Sequence, residues 1–91
     1  MTGTSWDLVV ARPARRAIDR LPAKIAVAVV EYLLGPLLDN PHRVGKPLRG
    51  DLAGLHSARV GAYRIVYEID RGKRVVEVVY IDHRADIYRP R

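Results

Sequence analysis

Two strand-like segments joined by a short turn constrain the fold of this chain more than any other feature. In YRIVYEI, residues 63–69, aromatic and aliphatic side chains alternate with a set that includes Arg64 and Glu68. Such alternation is typical of a strand with two different faces. After DRGK at 70–73, the segment RVVEVVYI returns along 74–81, which predicts an antiparallel hairpin. The tyrosine and isoleucine face should therefore pack on a core, and Arg64 should lie on an open face.

The first half of the chain has the patterns of one short strand followed by two helices. SWDLVVA, residues 5–11, is a short valine-rich run that predicts a strand. Pro13 and Pro22 both suit the first turn of a helix, where a missing N–H leaves no hydrogen bond unmade. We therefore expect a helical hairpin from Arg12 to about Asp39.

The second of these helices carries an aliphatic stripe at four-residue steps. The stripe consists of Ile25, Val29, Leu33 and Leu37. A stripe of this kind packs one helix face against a core. Gly35-Pro36 interrupts it, and because proline cannot donate to the preceding turn, we expect the helix to end or kink near Leu34. The loop 40–54 is rich in glycine and proline, which disfavours a sustained element, and Leu55–Val60 then predicts another strand.

The order of these elements predicts an α+β fold. The N-terminal strand and the helical hairpin would pack on one face of a mainly antiparallel sheet. A chain of 91 residues has room for one such unit, so we expect residues 1–91 to form a single small domain. Because small domains bury only about two-thirds of their unfolded surface, a functional site should be a shallow face or groove.

The chain is strongly basic, which narrows the class of partner. It has 16 Lys and Arg against 10 Asp and Glu, a formal net charge of +6. Most of that charge is arginine, whose planar fork suits phosphate oxygens better than an ammonium does. A basic surface raises the local concentration of polyanions. The composition therefore favours a nucleic acid or an acidic protein as the partner.

Other classes of protein are disfavoured by what the sequence lacks. Cysteine is absent, which excludes disulfides and zinc–thiolate sites and suits a reducing compartment. The start MTGTSW has no secretory pattern, and the longest apolar stretch, IAVAVVEYLL, is interrupted by Glu31 and falls short of the roughly 20 residues that span a bilayer. No pair of histidines has the spacing of metal ligands. We expect a cytoplasmic protein with no membrane association, no metal and no small-molecule cofactor.

Arg64 has two interpretations from the strand pattern alone. It could pair across the sheet with an acid such as Glu68 or Glu77, an interaction that contributes about 0.2–1 kcal/mol. Alternatively, it could converge on the open side of the sheet with Arg59, which precedes the adjacent turn, and with Arg84 and Tyr88, which follow the next strand. The alternation leaves both interpretations open.

Four motifs follow one another in a fixed order along the chain. They are NP after the helical hairpin, GKPL in the loop, RVGAYRIVY across two strands, and HRADIY near the end. Their order and spacing, over nearly the whole chain, resemble the RelE/ParE toxin superfamily, and in particular the RelE toxins of bacterial type II toxin–antitoxin systems. The resemblance implies a RelE-like microbial RNase fold in which the concave sheet face cleaves mRNA in the ribosomal A site. It also implies a cognate acidic antitoxin that wraps and neutralises that face.

The resemblance also implies which residues form the site. Its catalytic positions fall on Arg64, Arg84 and Tyr88, with His83 where some members have a histidine or a lysine. The pattern departs in the strand before Arg64, because Leu55 and Ser57 stand where the best-studied members have a pair of lysines. The nearby basic groups expected to bind RNA phosphates are Arg59, Lys46 and His56.

Metal-independent RNA cleavage requires that the 2′-hydroxyl lose a proton, that the pentacovalent phosphate be stabilised, and that the 5′-oxygen gain a proton. Arg64 and Arg84 suit the second task, because arginine stays charged and can hold two oxygens. His83 and His56 suit proton transfer, since histidine has an intrinsic pKa of about 6.5. Tyr88 could stack on a base or transfer a proton. The residues leave the general base unassigned.

Two other functions are compatible with the same pattern. One is a ParE-like inhibitor that acts by binding DNA gyrase, which the terminal HRADIY disfavours. The other is a catalytically weak member that serves mainly as an antitoxin-binding and co-repressor partner, which the absent lysine pair favours. In each case we expect an amphipathic segment of the antitoxin to cover the basic face.

Overall fold

A computed structural model describes residues 6–83 and contains a five-stranded sheet. The strands are β1 (Asp7–Val10), β2 (Lys46–Pro47), β3 (Leu55–Val60), β4 (Tyr63–Asp70) and β5 (Val75–His83). Their order across the sheet is β1-β5-β4-β3-β2, in which β1 runs parallel to β5 and the other neighbours are antiparallel. The α+β class and the mainly antiparallel sheet are therefore confirmed, and β5 extends two residues beyond the predicted strand.

Two helices follow β1 and cover one face of the sheet. Helix α1 is Arg12–Arg20 and helix α2 is Ala23–Tyr32. Pro13 lies in the first turn of α1 and Pro22 caps α2, which agrees with the predicted starts of both helices.

The regular α-helix ends at Tyr32, two residues before the predicted end near Leu34. The chain then continues as a π-helical segment, Leu33–Leu37, which contains Pro36. A π-turn uses hydrogen bonds of wider spacing, so the chain remains helical through a proline that an α-helix would exclude. The Asn40 N–H donates to the Pro36 carbonyl at 3.2 Å. Between this segment and β3 the structure has short elements, which are α3 (Pro41–Val44), β2 and a 3-10 turn (Gly50–Leu52).

The core lies between the helices and one face of the sheet, called here the helix face. Its buried members are Ala14, Val29, Leu33, Leu37, Ala58, Ile65, Tyr67, Val76, Val78 and Ile81. Tyr67 is fully buried, and its hydroxyl donates a 2.6 Å hydrogen bond to the carbonyl of Pro41. Gly45 packs directly against this tyrosine. A Cβ at position 45 would overlap the Tyr67 hydroxyl and lie 2.7 Å from the Ser57 carbonyl oxygen. The loop before β2 is thereby fastened to the sheet.

The opposite face of the sheet, called here the open face, carries the alternate side chains of β3 and β4. Arg59 is in register with Arg64 across a two-residue turn that begins with Gly61, whose φ is 58°. A positive φ of this size suits the tight hairpin turn and favours glycine. The predicted position of Arg64 on the face away from the helices is confirmed.

Strand β5 contains a β-bulge that changes which of its side chains reach the open face. Val66 pairs with Tyr80 but the next residue, Tyr67, pairs with Val78, so Val79 is an extra residue. Before the bulge Val78 faces the core, and after it Ile81 does. Tyr80 and Asp82 consequently lie on the open face, where strict alternation from Val78 would have put neither.

No helix within residues 6–83 has the length and apolar character needed to cross a membrane.

Candidate functional site

The site is built around Arg64, in the middle of the open face. Its Nη2 donates a 3.0 Å hydrogen bond to Oδ2 of Asp82, with which it also forms an ion pair, and a 3.4 Å hydrogen bond to the hydroxyl of Tyr80. The guanidinium carbon lies 5.8 Å from the centre of the Tyr80 ring. The side chains of Arg64 and Asp82 are each 21% exposed. Arg64 therefore has a cross-strand acidic partner, and that partner is Asp82 and not Glu68 or Glu77.

A shallow cleft at the β2–β3 edge of the sheet contains two further cations. Arg59 is the register partner of Arg64 in β3, and Lys46 in β2 is in register with Ser57. Lys46, Ser57 and Arg59 line one cavity of about 440 Å³ at this edge of the sheet. Arg59 and Lys46 are exposed. The structure thus brings together three of the predicted site residues, Arg64, Arg59 and Lys46.

His56 lies on the helix face, away from Arg64. Its ring stacks on Tyr67 with centroids 5.6 Å apart, and the ring of His42 is 6.4 Å away. Burial, and secondarily the nearby His42, lower the pKa of His56 below its usual value. Its Nδ1 is buried and has no hydrogen-bond partner within residues 6–83. The structure therefore does not bring His56 to the phosphate-binding surface for which it was predicted.

His83 also points toward the helices. It is in register with Tyr63, and the two rings meet edge to face with centroids 5.0 Å apart. It lines a cavity with Lys24 and Ile25 of α2. The structure does not place its ring beside Arg64, although the two residues lie near the same end of the sheet. Arg84 and Tyr88 lie outside the described residues, so their predicted roles stay predictions.

Tyr80 and Asp82 are residues of this site that the sequence patterns missed. The bulge at Val79 turns both onto the open face, and a bulge is visible only when the register between two strands is known. The signal that was available was weaker: Asp82 is an acid that directly follows the run VVYI near the end of the strand.

The other half of the open face is acidic. Glu68 and Glu77 are in register with each other, and they line a cavity with Asp70 and Lys73. Glu68 is four residues from Arg64, a distance of about 13 Å along a strand. The open face is thus divided into a basic half, with Lys46, Arg59 and Arg64, and an acidic half.

The basic half can bind an anion of the size of a phosphodiester. Two exposed cations and one ordered guanidinium surround a shallow and accessible surface, and arginine can hold two phosphate oxygens at once. An extended polyanion fits better than a small substrate, because the cleft is open and the protein as a whole has a net charge of +6. The fold and the site therefore define a small basic α+β protein with a cluster of cations on one sheet face.

Comparison with protein families assigns this architecture to a known group. The family model described as the ParE toxin of the type II toxin–antitoxin system parDE matches residues 8–88. The chain is 55% identical over 84 residues to Toxin RelE of Mycobacterium tuberculosis, which covers 92% of this chain and 87% of that protein. It is 54% identical over 76 residues to Toxin RelG of the same organism, which covers 84% and 87%. The chain therefore belongs to the ParE family of type II toxins, and it is a toxin of the RelBE type.

Solved structures agree with this assignment. In the toxin–antitoxin complex RelBE2 of M. tuberculosis, a chain superimposes with a TM-score of 0.86 and 45% identity, covering 93% of this chain and 98% of that chain. The isolated RelE toxin of E. coli superimposes with a TM-score of 0.73 at 22% identity, covering 87% and 84%. The second likeness shows the fold alone. Both confirm the RelE-like fold that the motifs implied.

Proposed function

We propose that this toxin is a metal-independent endoribonuclease that cleaves mRNA in the A site of the ribosome, and so inhibits translation in the cytoplasm. The observation that carries the proposal is the position of Arg64. It stands partly exposed on the open face, beside Arg59 and near the cleft that contains Lys46. The similarity to RelE toxins supports an RNA substrate, and the basic half of the open face supplies a surface for its backbone.

In this proposal the arginines act on the phosphate. The 2′-hydroxyl loses its proton and its oxygen bonds to phosphorus, after which the bond to the 5′-oxygen breaks and that oxygen takes up a proton. Arg64 and Arg59, joined by Arg84, would stabilise the charge that builds on the non-bridging oxygens. Tyr88 and His83 are the proposed groups for stacking and proton transfer. The ring of His83 faces the helices. In this proposal it would therefore reach the RNA only around the end of β5.

Lys46 is the proposed contact for a neighbouring phosphate. It lies across from Ser57. Ser57 stands at one of the two β3 positions where the resemblance implies a lysine. The ammonium of Lys46 therefore belongs to the same part of the open face, although it comes from β2. This arrangement supports RNA binding without the usual lysine pair in β3.

The test is primer extension on mRNA in a translating extract. Wild-type protein should give cuts within A-site codons, and Arg64→Ala should lower the cleavage rate on the order of 100-fold or more, as expected for loss of a group that stabilises the transition state. Lys73→Ala is a matched control, because it removes an exposed cation from the acidic half of the same face. An unchanged rate for Arg64→Ala would contradict the site assignment.

Two other outcomes would change the function. Inhibition of gyrase supercoiling by a protein that leaves mRNA intact would support ParE-like activity. The matching family model is described as the ParE toxin, which is compatible with that activity. Intact mRNA with normal supercoiling, combined with tight antitoxin binding, would support a partner in a repressor complex.

We also propose that an acidic antitoxin neutralises the open face. The net charge of +6 and the basic half of that face favour an acidic amphipathic segment, and the RelBE2 structure contains a toxin and an antitoxin together. Co-expression with the product of the adjacent gene should yield a complex on a size-exclusion column. Recovery of the toxin alone would count against this partner.

A further inference from the structure

Asp82 lies beside the candidate RNA-binding surface but is not among the residues that the resemblance implies. It is in register with Arg64 in the β4–β5 ladder, and its Oδ2 accepts the 3.0 Å hydrogen bond from Nη2. At 21% exposure for each side chain, the ion pair is partly shielded from water and still open to a ligand. The contact therefore belongs to the surface on which a phosphate would bind.

Arg64 stands between a like charge and an opposite charge. Arg59 is its neighbour in β3 and Asp82 is its neighbour in β5. Like charges directly opposite each other on a sheet repel, and opposite charges attract, so the guanidinium is biased toward β5. Tyr80 contributes on the same side, because its hydroxyl accepts from Nη2 at 3.4 Å. Three neighbours thus orient one long side chain in the same direction.

The contacts leave one nitrogen of the guanidinium available. Both hydrogen bonds go through Nη2, Nε is buried, and Nη1 has no hydrogen-bond partner within residues 6–83. An arginine that is already oriented loses less side-chain freedom when it binds phosphate. We propose that Asp82 is a positioning residue, which holds Arg64 through Nη2 so that Nη1 meets the scissile phosphate. This inference rests on the proposed function of Arg64 in RNA cleavage.

A direct role for Asp82 in proton transfer is the competing interpretation. A carboxylate at this place could take the proton from the 2′-hydroxyl. The geometry favours positioning, because Oδ2 is already engaged by the guanidinium. The amide of asparagine separates the two roles, since its oxygen can still accept from Nη2 but it cannot act as a base.

The experiment measures single-turnover cleavage on ribosomes programmed with a short mRNA, as a function of toxin concentration. Asp82→Ala should lower the saturating rate about 10- to 100-fold, the size expected for a misplaced catalytic group, with little change in the half-saturating concentration. Asp82→Asn should stay within about 3-fold of wild type and keep its pH profile. Glu77→Gln is the matched control, because it removes a negative charge from the same strand and face without a contact to Arg64, and it should cleave like wild type.

Two results would overturn the inference. One is an Asp82→Ala variant that cleaves at the wild-type rate. The other is an Asp82→Asn variant that is as slow as Asp82→Ala and lacks the acidic limb of the pH profile, which would assign proton transfer to the carboxylate. Circular dichroism of each variant excludes unfolding as the cause.

A second measurement does not depend on cleavage. Nitrogen-15 NMR of the guanidinium should show hindered rotation about the Cζ–Nη2 bond in wild type and Asp82→Asn, and free rotation in Asp82→Ala. Equal rotation in all three proteins would overturn the positioning role. If wild type makes no cuts, the proposed function fails, and this measurement alone decides the role of Asp82.

Discussion

Two tyrosines on adjacent strands show how differently the two faces of the sheet use the same side chain. Tyr67, on the helix face, is fully buried and its hydroxyl donates to the backbone of Pro41. Tyr80, on the open face, is partly buried and its hydroxyl accepts from the guanidinium of Arg64. On the helix face the tyrosine hydroxyl holds a loop against the sheet, whereas on the open face it helps to orient the charged side chain of Arg64. Substitutions on the helix face should therefore change stability, and substitutions in the basic half of the open face should change activity.

Charge reversal at Arg59 should have the largest effect and should fall on activity. Arg59→Glu places a carboxylate beside Arg64, where it would compete with phosphate, and we expect cleavage to fall on the order of 100-fold or more, about 2.7 kcal/mol in the barrier. Stability should change by no more than about 0.5 kcal/mol, because the residue is exposed. Primer extension and urea unfolding measure the two effects. An equal loss of cleavage in Lys73→Glu would mean that total charge, and not its place, controls activity.

Gly45→Ala should have the next largest effect and should fall on stability. The added Cβ would overlap the hydroxyl of Tyr67 and crowd the carbonyl of Ser57, and such overpacking costs about 1–3 kcal/mol. The matched control is Gly35→Ala, because nothing lies within 4 Å of a Cβ at that helical position. We expect the control to be neutral or slightly stabilising. Equal midpoints for both variants in urea would contradict the close packing of the loop on Tyr67.

The pH dependence of stability should report on the helix face through His56. Burial lowers the pKa of this histidine in the folded state, so below about pH 6.5, the intrinsic value, the unfolded chain takes up a proton more readily. The free energy of unfolding should then fall as the pH is lowered from about 6.5 to the folded pKa. Above about pH 6.5 the full free energy of unfolding should be present. His56→Phe keeps a ring against Tyr67 without the titration, so its unfolding free energy should depend less on pH in this range. Identical pH slopes for the two proteins, measured by urea unfolding between pH 5 and 8, would contradict the prediction.

The smallest expected effect is on the acidic half of the open face. Glu68 and Glu77 carry like charges in register, and Glu77→Gln removes the repulsion, which should raise stability by about 0.2–1 kcal/mol. The gain should shrink at high salt, because surface charges are screened. A stability loss would show that the glutamates have other roles in the fold.

The sequence predicts the fold well where strand periodicity is regular. The alternation in β4 correctly separates Ile65 and Tyr67 from Arg64, and the prolines correctly mark the starts of two helices. The interruption of the second helix around Gly35-Pro36 was predicted, but its π-helical form was not, because a π-turn depends on tertiary packing that the local pattern does not contain.

The site is only partly predictable, for reasons that differ between residues. Tyr80 and Asp82 could not be placed, because the bulge at Val79 reverses the alternation of β5 and depends on pairing with β4. His56 could have been placed, since it shares its face with Ala58, an apolar residue of β3. The residue type of His56 and its nearness to Arg64 in sequence indicated a basic group near Arg64. Neither carried information about which face of the sheet the ring lies on.

The bulge at Val79 also determines which changes in the length of this strand the site can accept. Deletion of Val79 would restore a regular ladder with β4 in which Tyr80 still pairs with Val66 and Asp82 with Arg64, so both side chains would stay on the open face. Deletion of Ile81 would instead turn Asp82 into the core, since a shift of one residue exchanges the two faces. An alignment gap at the column of Val79 is therefore compatible with the ion pair, whereas a gap at the column of Ile81 would mark a lineage in which the arginine of β4 has lost its partner.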